Sequence, residues 1–128
     1  MPMYNSLQEI FDASYKGMAK QGWDRSLSPG GTCLYRSGNG LKCAIGVLIP
    51  DDIPVKEVGG VHSLFARNKA VVDLFLDHDD ITEVAYTKLV FFLTSLQNAH
   101  DNCSFPYLSI QQNFEWVANR YDLSIPKV

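Results

Sequence analysis

A chain of 128 residues with a hydrophobic fraction of 46% is long and apolar enough to form one compact domain, residues 1–128, without help from a metal or a disulfide. The same fraction excludes an intrinsically disordered chain. A net charge of −3 argues against general nucleic-acid binding, which calls for a basic surface.

The first residues, Met1 to Ser6, lack the charged-then-apolar pattern of a secretion signal, and no apolar run reaches membrane-spanning length. These features predict a cytoplasmic protein with no membrane partner. They leave room for a homo-oligomer. The three cysteines then read as reduced thiols, and their spacing is not that of a zinc site.

Ser6 and Glu9 predict a capping box, and Leu7, Ile10, Phe11, Ser14 and Met18 follow at helical spacing. The first helix should run to about Lys20 and end near Gly22. Residues Gln21 to Thr32 read as a surface loop with Trp23 tucked against the core. Ser28-Pro29-Gly30-Gly31 lacks the Gly-Lys-Ser/Thr ending of a phosphate-binding P-loop.

Ser37-Gly38-Asn39-Gly40 is a turn signal between two short runs, and Asn-Gly tolerates the positive φ that hairpin turns need. The expectation is a hairpin over Cys33 to Ile45, with strands Leu34 to Arg36 and Leu41 to Ile45. A two-residue or a four-residue loop gives the same partition of side chains. Leu34, Arg36, Leu41, Cys43 and Ile45 share one face; Cys33, Tyr35, Lys42 and Ala44 share the other. A three-residue loop would break that partition.

Asp51 and Asp52 follow Pro50 and read as caps of a short turn rather than as a metal site. Ile53 to Val61 reads as a loop. A helical segment begins at Ser63 and continues through Ala70 to Leu76, with room for a break at Asn68-Lys69. The longest helix is expected at about Ile81 to Asn102, opened by Asp80 and Glu83, with Ala85, Leu89, Leu93, Leu96 and His100 on one stripe, flanked by Phe92 and Cys103. Ser109 and Gln112 cap a last helix with Phe114, Val117 and Tyr121 inward and Trp116 near the seam; Pro126 prevents its extension. The fold class is α+β: about four helices packed with a small antiparallel hairpin.

Two chemistries compete for this frame. In the first, a tyrosine ring stacks on a ligand while Arg36 and Lys42 hold phosphate oxygens, so the ligand-binding set is Tyr35, Arg36, Lys42, His100 and Asp101. In the second, Cys43 is a nucleophile whose pKa a nearby Arg36 lowers, with His100 as its base and Asp101 orienting it. His62 and His78 sit in or beside polar loops and should be exposed. His78-Asp79-Asp80 looks like a metal cluster, but Asp80 as a helix cap accounts for it, so no metal and no cofactor are expected.

The run Tyr35-Arg36, then Gly40-Leu41-Lys42-Cys43-Ala44-Ile45-Gly46-Val47-Leu48-Ile49-Pro50-Asp51, then Leu96-Gln97-Asn98-Ala99-His100-Asp101 resembles a family of small uncharacterised phage and prophage proteins. Leu7-Gln8-Glu9-Ile10-Phe11-Asp12 fits the same family. The chain departs from it at Val47, where members often carry a cysteine, and at Ile53-Pro54, where they carry an acidic-tyrosine pair. The first departure argues against an obligatory cysteine cluster. The resemblance implies a phage-type accessory protein acting in a host cytoplasm. With the residues above, the expected function is binding of a phosphorylated small ligand, in the manner of a factor that sequesters a host immune nucleotide signal. A cysteine-histidine hydrolase and an inhibitor acting by protein contact are the alternatives.

Overall fold

The computed structural model describes residues 3–24, 26, 34–38, 40–55, 57, 60–76, 83–101 and 109–127, with backbone alone at 83, 84 and 101. Among these residues the regular structure is five helices: α1 (Leu7–Lys20), α2 (Val61–Arg67), α3 (Lys69–Val72), α4 (Glu83–Asp101) and α5 (Ile110–Arg120). Among the described residues a 3-10 turn, Gly46–Leu48, lies between α1 and α2. Helix α1 packs on that turn and on α5; α4 packs on α5 and α2; α2 packs on α3.

Capping chemistry sets the ends of α1. The Ser6 hydroxyl accepts from the Glu9 N–H at 3.1 Å, and the Glu9 carboxylate turns to that hydroxyl at 3.3 Å. At the other end Gly22 has φ +72°, its N–H reaching Ala19 O at 3.0 Å, while the Trp23 N–H reaches Met18 O at 2.8 Å. This is a Schellman motif, and it satisfies carbonyls that the last turn would otherwise leave open. Helix α5 opens with both halves of the Ser109–Gln112 capping box. It closes with the same motif as α1, here with Asp122 at φ 57° and the Leu123 N–H on Ala118 O at 2.8 Å. The tail is tied back to the start of α1, where the Gln8 side chain donates to Ser124 O and accepts from Ser124 N, both at 2.9 Å.

The segment after Ser63 does break at Asn68, whose extended φ of −135° separates α2 from α3. Helix α2 begins at Val61, just after Gly60 at φ 38°. On α4 the predicted stripe is inward: Leu89, Leu93, Leu96 and His100 are buried, with Phe92 beside them. The expected start of that helix at Asp80 and its flanking Cys103 lie outside the described residues, as do His78 and Cys33. Phe11, Phe92 and Phe114 anchor the core with no exposed surface, and Trp23 meets Tyr15 and Phe114 edge-on at 4.9 and 5.5 Å. Trp116 is 59% exposed on α5, away from the seam expected for it.

The expected β-hairpin, and with it the α+β class, is corrected. The described residues hold no strand; residues 34–45 keep one isolated antiparallel bridge, Arg36 with Lys42. The backbone groups that would extend a ladder are taken by other partners. The Tyr35 N–H goes to the Glu57 carboxylate, and the Cys43 carbonyl accepts from the Val47 N–H, which turns the chain into the 3-10 segment. The Gln21 side-chain amide takes the other edge, accepting from Lys42 N at 3.2 Å and donating to Lys42 O at 2.6 Å.

Candidate functional site

The Arg36–Lys42 bridge fixes the register of the turn, with Ser37 opposite Leu41 and an odd number of residues between them. The Ser37 N–H meets Leu41 O at 2.9 Å, the Cys43 N–H meets Tyr35 O at 3.3 Å, and Gly40 takes φ +85°. A left-handed glycine closing such a loop is a common hairpin solution. It shifts the register by one, so the partition expected from even loops fails. Arg36 now faces Lys42, and Tyr35 pairs with Cys43 on the buried side.

Around this bridge the chain collects anionic and carbonyl groups. The Glu57 carboxylate accepts from two consecutive amides, Tyr35 N and Arg36 N, at 2.9 Å each. The Lys42 ammonium pairs with Asp51, which is 86% exposed at its side chain. The Lys42 hydrogen bond and then its charge hold the Asp51 carboxyl below its ordinary value, and the charge of Arg36 adds to them. The Arg36 guanidinium donates to Pro50 O at 2.8 Å and Ile49 O at 3.5 Å, so it fastens the chain leaving the 3-10 turn. Its Nε is buried with no hydrogen-bond partner among the described residues.

Arg36 and Lys42 are thus brought together, with Asp51 and Glu57 beside them. Tyr35 contributes backbone rather than a ring, since the residue is only 5% exposed. Cys43 has no exposed surface, and its Sγ accepts from the Gly46 N–H at 3.2 Å. His100 is also fully buried, in the last turn of α4, a helix that packs on α5 and α2. Asp101 ends that helix, and its side chain is outside the described residues. His62 is exposed on α2. Among the described residues no three metal-ligating side chains stand together, and no helix is long and apolar enough to cross a membrane.

Sequence reasoning missed Glu57 altogether. A lone glutamate in a loop, 21 residues from Arg36, carries no local signal of its partner. It also missed a groove of about 740 Å³ between α4, α5 and the start of α1, lined by Leu7, Lys88, Phe91, Ser95, Arg120 and Tyr121 among others. One signal was present: Phe91 falls off the apolar stripe of α4, and it is 65% exposed. The chain matches no protein-family model, no curated protein and no solved structure.

Proposed function

We propose that the protein binds a small phosphorylated ligand at the Arg36–Lys42 bridge and does not turn it over. The observation that carries this reading is the pair of amides at Tyr35 and Arg36, each 2.9 Å from a carboxylate oxygen of Glu57. Two adjacent N–H donors beside a lysine form a concavity suited to anions. Glu57 and Asp51 are exposed residues of the segment that follows the 3-10 turn, and their carboxylates mark two anion positions. A ligand with two phosphoryl groups offers the same acceptors at higher charge and displaces both side chains. Arg36 supports the site by holding the carbonyls of Ile49 and Pro50. The full burial of Cys43 weighs against the hydrolase, because a nucleophile must meet its substrate. The resemblance to phage proteins adds the role: withholding a phosphorylated signal, such as a host immune nucleotide, from its receptor.

Titration with inorganic pyrophosphate tests this. Glu57→Gln removes the competing charge and should tighten binding several-fold. Lys42→Ala should weaken it, and added salt should weaken it in every form. Melting curves accompany each variant, and Arg36→Ala serves as the fold control because it releases two backbone carbonyls. Affinity indifferent to Glu57→Gln and Lys42→Ala together would sink the reading. Phosphate release by wild type but not by Cys43→Ser would replace it with the hydrolase.

A further inference from the structure

We propose, beyond the anion site, that the groove between α4, α5 and the start of α1 docks an acidic, amphipathic segment of a partner protein. Phe91 stands 65% exposed in this groove, and Trp116 is 59% exposed on α5 with the Arg120 guanidinium 5.6 Å above its ring. Aromatic and arginine side chains of this kind are the residues that anchor protein interfaces. Isolated exposed apolar residues need no explanation, but here Phe91 lines a groove whose Arg120 also sits over a second exposed ring, Trp116.

Charge selects the partner. Lys88 and Arg120 line the groove, and no carboxylate is among its described lining residues, although the chain as a whole carries a net charge of −3. A cationic groove on an anionic protein favours an acidic occupant and steers its approach. Shape selects the class of occupant. Lys88, Phe91, Ser95 and Asn98 run along one face of α4, a span of about 15 Å at helical rise, which two to three turns of a docked helix would cover. The groove is only partly enclosed, whereas a small-molecule site encloses most of its ligand. Its floor is fixed: the Tyr121 ring packs edge-on against Phe92 at 4.9 Å, and its hydroxyl lies 3.2 Å from that of Ser95. An apolar anchor of the partner meets Phe91 and Leu7 while its acidic side chains meet Lys88 and Arg120.

Panning the whole protein against a random dodecapeptide library tests the proposal, followed by affinity measurement on the enriched peptides. The expected peptides are acid-rich with at least one large apolar residue. Their binding should weaken at least tenfold with Phe91→Ala and with Lys88→Glu, and also as salt is raised. Both residues are exposed, so neither substitution should move the melting curve. Enrichment of basic or uncharged peptides would overturn the proposal, and so would binding indifferent to both substitutions. Self-association of the protein that Phe91→Ala abolishes would also overturn it, by making a second copy the occupant.

Discussion

Gly46 lies so close under Tyr35 that a Cβ built on it would stand 1.9 Å from the Tyr35 carbonyl oxygen. That oxygen also accepts from the Cys43 N–H, so it is fixed by the same turn that brings Gly46 beneath it. The obstacle is backbone, which cannot swing aside as a side chain does.

Gly46→Ala should therefore cost about 3 kcal/mol or more, at the upper end of what overpacking usually costs. Gly38→Ala is the matched control, because nothing lies within 4 Å of the point its methyl group would occupy. It should change stability by no more than about 0.5 kcal/mol. Urea unfolding of the two variants, compared at constant m-value, measures the difference.

Acid should loosen the bridge region through Asp51. Its carboxyl titrates below the ordinary 3.8 in the folded protein, so the folded state favours the charged form. The stabilisation is then present above the unfolded value and is lost as pH falls through the lower folded value. Melting temperature recorded from about pH 6 to about pH 2 should fall more steeply for wild type than for Asp51→Asn, the two converging at the acid end. Parallel curves would mean that the Lys42–Asp51 pair adds nothing to the fold, as many exposed pairs do.

The Cys43 thiol should resist alkylation in the folded protein. It has no exposed surface, so reagent reaches it only when the surrounding turn opens. Iodoacetamide labelling followed by peptide mapping should show its modification slowed about 10³-fold or more relative to the unfolded chain. Labelling of Cys43 at the rate of a free thiol would restore it as a candidate nucleophile.

What could be read in the sequence was what is local. Ser6 with Glu9, and Ser109 with Gln112, announced two helix starts, and the spacing of Leu89, Leu93, Leu96 and His100 announced the buried face of α4. The Gly22 stop was visible for the same reason. The hairpin was not, because its fate was decided by groups far along the chain. Gln21 and Glu57 bond the Lys42 and Tyr35 backbone from 21 and 22 residues away, and no propensity of Leu41 to Ile45 records them. Loop length was the second obscurity. Asn39-Gly40 signals a turn equally well for two, three or four residues, yet only an odd loop puts Arg36 opposite Lys42. The role of Arg36 followed from that register, since it decides whether the cation lies beside a thiol or beside the carbonyls of Ile49 and Pro50.

The clasp between Gln8 and Ser124 spans 116 residues of chain, and it sets an order of events. Closing a loop of that size costs about 4 kcal/mol in chain entropy, more than two exposed hydrogen bonds return. The clasp can therefore form only after α5 has docked on α1 and brought the two segments together. During synthesis Gln8 must wait until residue 124 has cleared the ribosome, so this side of α1 stays open long after the helix itself can form. Pulling on the chain from both sides of the clasp would load these two bonds first, and they would break in succession before any helix was drawn out.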